Sequence, residues 1–137
     1  MISKTCGYAI RAIVLLNEHP GEKLGVVQIA EQLGIPQHFL SKVLKDLAKH
    51  QLISSVKGPH GGYFSNQTTP NASLIDIIHV IDGLGVLNKC FLGKDRCSQT
   101  NPCPLHNEFE KSRQYLFEVF RNRTISQLNL SDAHNLI

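Results

Sequence analysis

The stretch "IAEQLGIPQHFLSKVLKDL", residues 29–47, most constrains what this chain can become. Two helical patterns, Val26–Leu33 and Pro36–His50, are parted only by Gly34 and Ile35. Helices joined that tightly must cross sharply, and the crossing sets demands on particular positions. A small residue belongs where the helices nearly touch, and Ala30 stands there. The turn needs a residue tolerant of a left-handed backbone, and Gly34 supplies it. Apolar side chains must fill the inner positions, and Ile29, Leu33, Ile35, Leu40 and Val43 do so. Pro36 suits the first turn of the second helix, where no backbone donor is lost. The spacing therefore predicts a helix-turn-helix. Its outward positions are Gln37, His38, Ser41, Lys42 and Lys45, side chains able to hydrogen-bond base edges or phosphates. A helical hairpin with an ordinary solvated polar face meets the same pattern.

The residues just downstream favour the nucleic-acid reading. Residues 52–56 and 62–65 are short β-type runs around the tip "KGPHGG", a hairpin signal. Such a ribbon beside a helix-turn-helix is a wing that lies along a DNA backbone or enters the minor groove. Lys57 brings charge, His60 a polar group, and Gly61 and Gly62 room for close approach. Upstream, residues 4–18 read as a helix with a broad apolar face closed by "HPGEK". The expected fold is mainly α with a small β-hairpin wing: a winged helix-turn-helix.

Ser73 and Asp76 form a capping-box pattern that opens "SLIDIIHVIDG". A long helix is expected over 105–123, where Leu105, Phe109, Ser112, Leu116 and Val119 recur at spacings of four and three. This stripe is a candidate dimerisation seam, with packing onto the chain's own domain as the alternative. Thr124 and Gln127 pattern a further capping box before a short last helix, and the tail "SDAHNLI" reads as loose. The chain thus divides into three segments: 1–82 as the DNA-binding domain, 83–104 as a cysteine-rich sensor loop, and 105–137 as dimerisation helix and tail.

That loop, "KCFLGKDRCSQTNPCPLH", holds Cys90, Cys97, Cys103 and His106. No secretory signal or membrane-length apolar run is visible, so a cytoplasmic setting with reduced thiols is expected, and a disulfide framework is disfavoured. None of the cysteine gaps is as short as the tight pair of most zinc sites. Thiolates on a wide, loop-borne spacing also suit an iron–sulfur cluster, and a reactive thiol group without metal is a third possibility. Lys94 and Arg96 would offset a cluster's negative charge and lower thiol pKa values. The formal net charge of +3 permits a nucleic-acid partner. No phosphate-cradling glycine loop and no nucleophile–base pair argues for an enzyme.

"SKTCGYAIRAI", "IAEQLGIPQHFLSKVLKDL", "SSVKGPHGGYFS" and "IDIIHVIDG" together resemble the IscR/NsrR/CymR family of bacterial transcription regulators, over residues 1 to about 130. The wing motif Gly-Pro-x-Gly-Gly-Tyr, Gly58 to Tyr63, is the most distinctive part. The resemblance implies a dimeric winged helix whose long helix forms the dimer. It places Lys57 at a basic wing position, and Ser41 where iron–sulfur members read bases, often with an acidic residue. It also implies that Cys90, Cys97 and Cys103 bind an iron–sulfur cluster, 2Fe-2S or 4Fe-4S, with His106 at the offset of a histidine ligand. In other members an acidic residue of the partner chain's first helix is the fourth ligand. Gly7 stands near that place and cannot ligate, while Cys6 beside it is either a ligand in trans or a core thiol.

The function expected is a transcriptional regulator, read as a repressor. It binds a palindromic operator in double-stranded DNA as a homodimer, modulated by an iron–sulfur cluster or redox-sensitive cysteines. The alternative is a cofactor-free winged-helix interaction module, or a regulator controlled by a partner protein.

Overall fold

A computed structural model describes residues 2–95 and 97–134, with the side chain of His134 left aside. Helix α1, Lys4–Glu18, starts where the Ser3 hydroxyl accepts the Cys6 N–H at 3.0 Å. Apolar residues cover nearly its whole circumference, and Cys6, Ala9, Ile13, Val14 and Leu16 lose all contact with solvent. A helix that is apolar all round must be surrounded. Here α1 is the central rod against which α3, α4 and the last segment of the chain pack.

Helices α2, Val26–Leu33, and α3, Gln37–Lys49, meet the demands of a helix-turn-helix. Gly34 is left-handed, at φ 63° and ψ 33°, and the N–H of Ile35 donates to the Ala30 carbonyl at 3.1 Å. Ile29, Leu33, Ile35, Leu40 and Val43 are all buried. Arg11 on α1 donates to the Leu33 carbonyl and so ties the end of α2 to the central rod.

Strands β1, Ser54–Val56, and β2, Gly62–Phe64, pair antiparallel, with Ser55 opposite Tyr63. The loop before α2 also joins this ribbon: Leu24 and Tyr63 exchange backbone hydrogen bonds of 2.9 and 2.8 Å. The wing is thereby moored to the head. Close backbone contacts, one within the wing and one at the mooring, account for two of its glycines. A Cβ on Gly61 would lie 2.0 Å from the Val56 carbonyl oxygen, and one on Gly62 would lie 2.7 Å from that of Leu24.

Helix α4, Leu74–Ile81, opens with the expected capping box, Ser73 N–H to Asp76 at 2.8 Å. At its far end Asp82 accepts the Ser3 N–H at 2.7 Å and also the Ser3 hydroxyl, so the end of α4 is tied to the start of α1. A 3-10 turn, Leu84–Asn88, leads into the cysteine loop, and α5 comes next as His106–Asn122. Of α5, only His106 and Arg113 are buried.

After a 3-10 turn at Ile125–Gln127, the chain ends its described course in α6, Leu130–His134. The loose tail expected from "SDAHNLI" is corrected here. Ala133 is fully buried, the Leu130 N–H donates to Glu18 at 2.8 Å, and Asn129 caps the helix by accepting from Asp132 N at 2.9 Å. Residues 135–137 of that tail lie outside the described residues.

Candidate DNA interface and cysteine centre

Helix α3 turns its polar side outward because its apolar residues are spent on the core. Gln37, His38, Lys42 and Lys45 are exposed, and Ser41 is half-buried. Lys57 and His60 stand exposed on the wing. A cleft of about 510 Å³ runs between helix and wing, lined by Lys45, Lys49, Lys57 and Tyr63 among others. Lys49, absent from the residues picked out by sequence, completes this basic rim. It lies four residues after Lys45 on the same helical face, a spacing that could have found it. Phe39 is a second residue that sequence reasoning missed. It is exposed, and its ring sits 4.1 Å from that of His38. An exposed aromatic group at the first turn of a recognition helix can touch a thymine methyl.

The cysteine loop is built differently. It starts with a turn in which the Gly93 N–H donates to the Cys90 carbonyl, and Gly93 adopts φ 88°. The Cys90 thiol is held below its ordinary range by the backbone N–H groups of Leu92 and Lys94, with the charges of Lys94 and Arg113 contributing. Cys97 is half-buried, and its sulfur lies 3.0 Å from His106 Nδ1. His106 is the first residue of α5, and its N–H donates to the Cys103 carbonyl at 3.0 Å.

The structure thus brings Cys97 and His106 into contact. Among the described residues no group of three or more His, Cys, Asp or Glu is arranged to hold a metal ion. Arg96 lies outside the described residues. Cys6, weighed as a ligand in trans, is fully buried, and its thiol is pushed up from 9.0 to about 12 by burial, with the Asp82 carboxylate adding. All four cysteines are free thiols.

Arg113 carries no sequence signal of its own. It stands seven residues after His106, two turns along the same face of α5. Its Nη2 donates to Glu110 Oε2 at 2.9 Å, and its guanidinium lies against Cys97. Cys97, His106 and the Arg113 guanidinium meet where the loop joins α5, and the Arg113 charge also acts on Cys90. The Cys90 and Cys103 sulfurs are not gathered together with that of Cys97. Loop and helix nonetheless offer between them three thiols, an imidazole and a buried cation. In donor chemistry that set fits an iron–sulfur group: soft thiolates to bind iron, and a cation beside them to offset their charge.

A cleft of about 790 Å³ lies against Cys97 on the side away from α5, lined by Ser3, Asp82, Lys89 and Asp95 among others. The Ser3–Asp82 tie therefore borders the cysteine loop. No helix among the described residues is long and apolar enough to cross a membrane.

The Rrf2 family, described as an iron-dependent transcriptional regulator, matches residues 2–129. A helix-turn-helix-type transcriptional regulator of Aquifex aeolicus is similar at 31% identity, over 98% of this chain and 95% of that protein. CymR, the global cysteine regulator of B. subtilis, has the same fold, with a TM-score of 0.79 at 20% identity over 96% of this chain and 97% of that one. IscR of T. potens matches with a TM-score of 0.74 at 25% identity, covering 97% and 88% respectively. With a winged helix-turn-helix fold and a family match across nearly its whole length, this chain is no enzyme and belongs to the Rrf2 family of transcriptional regulators.

Proposed function

We propose that this chain is a cytoplasmic homodimer that binds a palindromic operator in double-stranded DNA and represses transcription from it, under the control of its cysteine centre. The observation that carries the DNA reading is the single basic face made by α3 and the wing, where Lys42, Lys45, Lys49 and Lys57 are all exposed. Gln37, His38 and Ser41 lie at the end of α3 that enters a major groove, where hydrogen-bonding side chains read base edges. Lys57 and His60 reach the backbone or minor groove from the wing. One such head contacts too few phosphates for specific binding at cellular salt, and two related by a two-fold axis read both half-sites.

Cys90, Cys97, Cys103 and His106 would hold an iron–sulfur cluster, whose iron–sulfide bonds are open to attack by nitric oxide or oxidants and to loss of iron. The chain's own part is to connect that centre to the heads. The loop runs from Asp82, which is bonded to the start of α1, to His106, which begins α5. A change in how the loop is tied can therefore shift α5 against α1, and with it the spacing of two recognition helices. DNA affinity then changes by the difference in stability between the two arrangements.

A second reading, a thiol switch without a cluster, is favoured by one observation, the 3.0 Å contact of Cys97 with His106. A thiol in contact with an imidazole is an arrangement in which a cysteine can react with oxidants without a metal.

Anaerobic purification, followed by absorption spectroscopy with iron and sulfide analysis, separates the two. Visible absorbance with iron and labile sulfide is expected, and colourless, iron-free protein sinks the cluster reading. For the DNA face, binding to a palindrome from the chain's own upstream region should weaken steeply with salt. Lys57→Ala should weaken it across sequences and reduce the salt slope by about one. Ser41→Ala should reduce discrimination between bases. Salt-independent binding, or none, would leave the protein-interaction reading in its place.

A further inference from the structure

The buried face of α5 holds a cation whose hydrogen bonding is incomplete. Arg113 is 8% exposed, although arginine is almost never buried without partners. Glu110 takes up Nη2, yet Nη1 is buried and has no hydrogen-bond partner among the described residues. Leaving a donor of a charged group unsatisfied costs more than leaving a neutral one, so such a group implies an acceptor that arrives with something else. The neighbours identify the class of acceptor. The guanidinium lies against the sulfur of Cys97, which in turn touches His106, and its charge acts on Cys90 as well. Glu110 chiefly, and Cys97 after it, keep the guanidinium charged despite its burial.

We infer that Arg113 is a positioning residue of the cysteine centre, supplying from α5 the compensating positive charge and a spare N–H donor to the anionic sulfur of the bound iron–sulfur group. The inference rests on the cluster reading above. A fixed cation beside such a group favours its reduced, more negative form, and a donor to its sulfur slows its loss. Because Arg113 belongs to α5, the same contact fastens the loop to the helix proposed for the dimer.

The test uses full-length protein reconstituted anaerobically with iron and sulfide, as wild type, R113Q and R113K. Midpoint potential is measured by spectroelectrochemical titration, iron release by a chelator assay, and folding by thermal melting. R113Q should shift the midpoint to more negative potential and release iron about ten- to a hundredfold faster. R113K, which keeps the charge, should lie closer to wild type on both readouts. If R113Q matches wild type on both, the role assigned to Arg113 is overturned while the cluster reading stands. If R113Q and R113K fail equally, with lowered melting temperatures, Arg113 serves packing and the inference is again wrong. Wild-type protein that retains no iron overturns the cluster reading and this inference together.

Discussion

Cys6 lies inside the core around α1, where burial first and the Asp82 carboxylate second raise its thiol from 9.0 to about 12. Cys90 carries the same side chain, but the N–H groups of Leu92 and Lys94 favour its thiolate. That contrast can be measured in two ways. In cluster-free native protein at pH 8, iodoacetamide should label cysteines of the loop and spare Cys6 until denaturant is added, as peptide mass mapping would show. Labelling of Cys6 in the native state would mean that the start of α1 opens readily. The second measurement concerns pH. The unfolded thiol ionises near its ordinary 9.0 while the folded one holds its proton to about 12, so above 9 the unfolded state binds fewer protons. Stability from this site is fully present below pH 9 and is lost as pH rises through that window. Urea unfolding of wild type should therefore weaken between pH 9 and 10.5 more steeply than that of Cys6→Ala, whose own curve starts lower because of the vacated core volume.

Among the elements, the wing is held by close backbone contacts as well as by side chains, Tyr63 against the core and Ser54 bonded by Asn66. A methyl group on Gly61 would meet the Val56 carbonyl at 2.0 Å, and the ribbon's mooring to Leu24 begins two residues further on, at Tyr63. Gly61→Ala should cost roughly 1–3 kcal/mol, read as a fall in urea midpoint, because a tightly packed backbone must spread to admit it. It should also weaken DNA binding by displacing Lys57. The same glycines mark what can be read from the residues and what cannot. In "IAEQLGIPQHFLSKVLKDL" each demand is local, a small residue, a left-handed turn and an apolar face, so the motif is visible before the fold is known. Gly61 and Gly62 stand out in the sequence only as room for DNA; their crowding comes from Val56 and from Leu24, the latter far away in the chain, and no periodicity reports that. The tail escapes a local reading for the same reason. Its helix depends on Glu18 and on a place for Ala133 in the core beside α1. In the cysteine loop, spacing names the sulfur donors, whereas Arg113 reaches them from another element and has no motif of its own.

At the scale of the whole molecule, α5 keeps its expected stripe without covering it. Leu105 and Val119 are exposed, Phe109 and Leu116 are half-buried, and the neighbouring Tyr115 is 71% exposed. Phe91, in the loop, adds an exposed ring tilted against that of Phe109 with centroids 4.8 Å apart, so the apolar surface continues from helix to loop. Contiguous apolar surface on a small protein marks a site of association. The reading as a homodimer assigns it to a second copy across a two-fold axis, where every contact of one residue with another occurs twice. A charge placed at Leu116 would then be buried twice in a low-dielectric seam, once from each copy. Leu116→Asp should therefore be monomeric in sedimentation equilibrium at concentrations where wild type is dimeric. It should still melt cooperatively, because Leu116 is half-exposed and makes no part of the core around α1. Its affinity for the palindrome should fall toward that for unrelated DNA, about a thousandfold at physiological salt. The salt slope should fall to roughly half, since one head neutralises half the phosphates. A Leu116→Asp protein that stays dimeric would move the interface off α5. One that is monomeric yet binds the full palindrome as tightly as wild type would sink the two-headed mode of recognition.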